Sequence, residues 1–76
     1  MILYIIFLSL SNNNLINLNT AGKEDLMSLP AIGEVKAQAI IDYREKYGDF
    51  LSTEEIMNIN GIGDKTYELL KDRICI

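Results

Sequence analysis

A chain of 76 residues makes one domain at most, and 49% apolar residues with a single proline mark it as folded rather than disordered. Seven basic residues against eleven acidic ones leave a net charge of −4, which excludes a broad basic groove and allows only a few local phosphate contacts. With no histidine and only Cys75, an intrachain disulfide, an ordinary zinc site and the commonest general base near neutral pH are excluded as well.

Met1 to Leu10 read MILYIIFLSL, apolar apart from one serine. Ten residues of helix cover about 15 Å, half of a bilayer core, so the stretch is too short for a complete span. It has the character of a secretory h-region, and Ser9-Leu10-Ser11 has the small-x-small form of a cleavage site, but a basic n-region is missing. Two explanations compete: the start lies inside a longer signal or anchor, or the stretch is a strand or helix packed on the domain. Asn12-Asn13-Asn14 lacks an apolar period and reads as a linker. The expected division is therefore 1–14, an export or anchor segment with its linker, and 15–76, the folded domain.

From Leu15 the chain repeats itself. A shift of thirty residues lays LMSLPAIGEVKAQAIIDY (Leu26 to Tyr43) over IMNINGIGDKTYELLKDR (Ile56 to Arg73). Met27 meets Met57, Ile32 meets Ile62, Gly33 meets Gly63 and Asp42 meets Asp72. Around these identities Leu26, Leu29, Ala39 and Ile40 meet Ile56, Ile59, Leu69 and Leu70. A fixed period with matched apolar positions marks a duplicated supersecondary unit, and each unit reads helix, tight turn, helix, so an all-α pseudo-twofold pair is expected.

Gly22-Lys23-Glu24-Asp25 opens the first helix without a capping side chain, at a cost of a few tenths of a kcal/mol. The second helix, from about Glu34 to Lys46, carries Val35, Ala39 and Ile40 on one face with Tyr43 and Tyr47 below them, and Gly48 suits a left-handed C′ position. Ser52-Thr53-Glu54-Glu55 fits a capping box and predicts a short helix from about Thr53 to Asn58. The fourth helix runs from about Asp64 to Lys71 with Tyr67, Leu70 and Ile74 on one face. Ile16-Asn17-Leu18 and Ile74-Cys75-Ile76 alternate and can bridge, closing the domain; Cys75 is then a small apolar strand residue.

The informative residues lie between paired helices: Leu29-Pro30-Ala31-Ile32-Gly33 and Ile59-Asn60-Gly61-Ile62-Gly63. Gly61 is free to take the positive φ of a type II turn. Gly33 and Gly63 precede a helix, where unpartnered amides and the macrodipole suit an anion and a missing Cβ lets it come close. Lys36, Lys65 and Thr66 stand in the first turns beyond, within reach of the same phosphate. Glu34 and Asp64, each at a first helical position, answer the dipole themselves.

INLNTA (Ile16 to Ala21), LPxIG (Leu29 to Gly33), Val35-Lys36-Ala37 with Ala39-Ile40, and NGIG (Asn60 to Gly63) together resemble the tandem helix-hairpin-helix domain of the ComEA family, competence DNA receptors of bacteria. The likeness covers nearly everything from Leu15 to Ile76. It implies a compact all-α fold, sequence-independent binding of double-stranded DNA and an extracytoplasmic place behind an N-terminal signal or anchor. It also implies association with a membrane through residues 1–10 and with protein partners of a DNA-uptake machine. Carried over position by position, the DNA contacts are Ala31, Ile32, Gly33 and Lys36 in the first hairpin and Gly61, Ile62, Gly63, Lys65 and Thr66 in the second. Two departures stand out. Ala31 replaces a family glycine, so a left-handed conformation there costs about 1–2 kcal/mol or the turn changes type. The chain is also more acidic than a DNA-binding member is expected to be.

A protein-interaction or oligomerisation module on the same fold is the alternative, since fold does not fix function. An enzyme is not expected: the domain is too small to enclose a flipped base, and Asp42 and Asp72 read as solvated helix positions. Neither a cofactor nor a metal is implied.

Overall fold

Most of the apolar positions that recur every thirty residues become the core of the domain, but Met27 and Leu69 are exposed and Ala39 and Met57 only partly buried. A computed structural model describes residues 15–76; the apolar segment 1–10 and the Asn12–Asn14 run, with the export and linker expectations attached to them, lie outside the described residues. The elements in chain order are β1 (Ile16–Asn17), α1 (Lys23–Met27), α2 (Glu34–Tyr47), a 3-10 helix (Thr53–Asn58), α3 (Asp64–Leu70) and β2 (Ile74–Cys75). Leu26, Leu29, Ile32 and Ile40 of the first unit are buried, and so are their partners Ile56, Ile59, Ile62 and Leu70 of the second. Both units thus pour matched side chains into one core, which neither could cover alone.

The ends of the domain close as expected. β1 pairs with β2 in parallel, Ile16 opposite Ile74 and Asn17 opposite Cys75, with the Ile16 amide donating to the Arg73 carbonyl at 2.8 Å and the Leu18 amide to the Cys75 carbonyl at 2.9 Å. Leu18 and Phe50 are fully buried beside this bridge. Asn19 acts as a backbone surrogate toward the segment joining the units: Phe50 N–H donates to Asn19 Oδ1 at 2.6 Å, and Asn19 Nδ2 donates to the Phe50 carbonyl at 3.1 Å. This paired bond explains an asparagine in the INLNTA stretch, since it satisfies a backbone that has no sheet partner there.

Four local expectations need correction. The apolar stripe read on α2 is not its core face: Val35 is 83% exposed and Tyr47 is exposed, whereas Ala37 and Ile40 are buried, with Ala39, Ile41 and Tyr43 packed at the margin. Two stripes of helical spacing share Ile40, and tertiary packing selects between them. The Ser52 capping box does not close, because the Ser52 side chain makes no cap bond and the segment winds as a 3-10 helix. Glu55 reaches past it instead, accepting from the Leu51 amide at 2.8 Å and from the Tyr43 hydroxyl at 3.0 Å. At Gly48 the φ of 92° is positive as expected, but ψ of −176° sends the chain off extended rather than into the left-handed helical region. α3 ends at Leu70, one residue before the expected Lys71, and its Tyr67 is half-buried above the fully buried Leu70.

Candidate nucleic-acid interface

Each hairpin is a four-residue turn closed by one backbone bond. Ile32 N–H donates to the Leu29 carbonyl at 3.2 Å, and Ile62 N–H to the Ile59 carbonyl at 3.0 Å. Positive φ occurs at the third residue of each turn, Ala31 at 64° and Gly61 at 97°, and not at Pro30 or Asn60. That combination is a type II turn. The first hairpin therefore keeps the turn type and places alanine in the left-handed region, the strained one of the two outcomes its sequence left open. Pro30 supports it, since its fixed φ suits the second position of a type II turn.

The isoleucines lock the turns. Ile32 and Ile62 are 4% and 2% exposed, so each hairpin is pinned from beneath while Ala31, Gly33, Gly61 and Gly63 lie exposed above. Gly33 and Gly63 share one extended conformation, φ/ψ −97°/−163° and −105°/−164°, and a Cβ built on either meets no neighbour within 4 Å. Open space, rather than backbone strain, is what these two glycines provide. Each also accepts the first bond of the following helix, Gly33 from Ala37 and Gly63 from Tyr67, both at 2.9 Å. Neither helix start carries a side-chain cap, so its leading amides have no side-chain partner.

Charge around the hairpins is unequal. Glu34 Oε2 pairs with Lys23 Nζ at 3.1 Å, which draws the carboxylate at the head of α2 toward α1. Lys23 was not singled out from the sequence, because an eleven-residue separation leaves no local periodic trace. Among the described residues Lys36 and Lys65 enter no ion pair, whereas Lys71 is held by Glu68 at 3.0 Å. The hydrogen bond and charge of Glu68 raise the Lys71 pKa. Arg44 donates to the Leu18 carbonyl at 2.9 Å, and Lys46 sits 5.3 Å from the Tyr47 ring centre. Lys65 is exposed, and Thr66 and Lys36 are half-buried. Exposure was expected for both lysines; Lys36 departs from it because its Cε comes within 3.6 Å of the position a Gly61 Cβ would take. The expected contact residues of the two turns are thus brought to neighbouring positions, with Ile32 and Ile62 below the surface as turn supports.

The helix-hairpin-helix motif family matches residues 11–75, the span that contains both turns. The chain belongs to the helix-hairpin-helix family. Within it the chain is similar to ComE operon protein 1 of Bacillus subtilis (strain 168), 44% identical over 62 residues that make up 82% of this chain and 30% of the relative. It is also similar to an uncharacterized protein of Haemophilus influenzae, 45% identical over 60 residues, 78% of this chain and 54% of that one. A third similar protein is the mouse endonuclease/exonuclease/phosphatase family domain-containing protein 1, 37% identical over 67 residues, with 88% of this chain matching 12% of the larger protein. The chain spans about a third to a half of the first two relatives. Among the described residues no helix is long and apolar enough to cross a membrane.

Proposed function

We propose that this chain binds double-stranded DNA through backbone phosphates, without reading base sequence, as a component of DNA uptake in natural transformation. The observation that carries the reading is the matched pair of type II hairpins, each pinned by a buried isoleucine and each leaving an unobstructed glycine before an uncapped helix start. Backbone amides presented this way hold phosphates and carry no base information. Lys36 and Lys65, outside any ion pair among the described residues, supply the charge. Similarity to ComE operon protein 1 supports the link to competence. The role is binding and not catalysis. An extracytoplasmic place, with residues 1–10 as export or membrane-associating segment and an uptake machine as protein partner, belongs to the same proposal.

The acidic total charge keeps the affinity weak, about micromolar at low salt, so that several copies held together at a membrane are needed for firm retention. A protein-interaction role draws support from the exposed Val35 and Tyr47 on α2. The experiment that separates them is retention of a random-sequence duplex by the parent chain and by Lys36→Glu with Lys65→Glu. The proposal expects binding by the parent, loss in the double variant and an unchanged helical circular dichroism signal. Retention that survives the double change would place the contacts elsewhere, and no binding by the parent at low salt would favour the protein-interaction role.

A further inference from the structure

We propose that the two hairpins are unequal and that Lys36, although it belongs to the first unit, completes the second hairpin, which then carries most of the DNA contact. This rests on the DNA-binding reading above and divides the work within it. The thirty-residue register pairs Lys36 with Thr66 and Val35 with Lys65, so the two lysines are not equivalent positions of the repeat. Lys36 is half-buried, and its Cε approaches Gly61 to ordinary van der Waals distance of a missing Cβ, 3.6 Å. Its aliphatic stem therefore lies over the second turn, and its ammonium is delivered to the NGIG side. Lys65 stands two residues after Gly63, exposed in the first turn of α3. Lys36 by its contact with Gly61 and Lys65 by its place in the sequence thus both belong to the second hairpin. The first hairpin has Val35 where the second has Lys65, and a strained alanine where the second has glycine.

The glycines that precede α2 and α3 allow a matched test, because a Cβ on either meets no neighbour within 4 Å and both lie in extended backbone open to valine. Binding of a fluorescent random-sequence duplex is measured at low salt for the full chain, for Gly33→Val and for Gly63→Val, with Lys36→Met added to each; methionine keeps the stem over Gly61 and removes the charge. Gly63→Val should weaken binding about tenfold and Gly33→Val about twofold, tenfold being the scale of one charged hydrogen bond. Lys36→Met should cost a further tenfold or so in the Gly33→Val chain and less than about twofold in the Gly63→Val chain, where the hairpin it serves is already blocked. Equal losses from the two valines, or a Lys36 effect that vanishes in the Gly33→Val chain, would overturn the inequality while leaving DNA binding intact. A parent chain that binds no duplex would sink the DNA-binding reading and this division with it. Matching thermal unfolding of all variants confirms that the losses are at the surface.

Discussion

The first and second units answer the same architectural demand with different chemistry. Unit one has a five-residue α-helix, a hairpin stiffened by Pro30 and a fourteen-residue α2; unit two has a 3-10 helix, a glycine hairpin and a seven-residue α3. Unit one is the sturdier scaffold, since its long helix and restricted turn need less help from packing. Unit two has the permissive turn and, through Lys36 and Lys65, the available charge. The shared core positions are matched between the two units, while their surfaces differ in turn residue and in charge.

The strongest way to break the comparison is at its shared feature. Ile32→Ala and Ile62→Ala each remove a buried side chain from beneath a turn and should each cost 2–5 kcal/mol, roughly, read by urea unfolding. In a domain with so small a core, either change should leave a substantial unfolded population. If only one of the two is costly, the hairpins do not share a common support.

A smaller effect separates the turns themselves. Gly61→Ala places a Cβ at φ 97° and against Lys36, and should cost about 1 kcal/mol. Ala31→Gly relieves the same strain at φ 64° but adds unfolded-state freedom, so stability should stay level or rise. A loss above about 1 kcal/mol for Ala31→Gly would mean that the first turn depends on its side chain.

These hairpins were readable from sequence because their determinants are local: a helix, a turn residue, a buried isoleucine and a glycine, all within a few positions and all repeated. The repeat and the matched core residues were legible for the same reason, and the Ile16–Ile74 bridge from the alternation of its two short segments. The exposure of Val35 was not, because α2 carries two stripes of acceptable spacing and only tertiary packing chooses one. Nor could sequence spacing place Lys36 over Gly61, which depends on how the units dock. The capping box at Ser52 failed on a local rival: Glu55 found the Leu51 amide and the Tyr43 hydroxyl instead.

That rival gives the smallest prediction. Ser52→Ala should cost less than about 0.5 kcal/mol, below the usual ~1 kcal/mol for losing a serine cap, because the Ser52 side chain makes no cap bond. Gly22→Ser, at the equivalent start in unit one where a cap is also missing, should gain a few tenths of a kcal/mol. Thermal unfolding of the pair checks both signs; a Ser52→Ala loss well above 1 kcal/mol would restore the capping box.

The most direct test of the central claim is the salt dependence of duplex binding by the parent chain, measured on two random-sequence duplexes of different base composition. With Lys36 and Lys65 as the cations at phosphate, about two counterions are released, and log K should fall against log salt with a slope of roughly −2, the same for both duplexes. A slope steeper than about −5, or affinities that differ widely between the duplexes, would contradict an interface of two hairpins and two lysines.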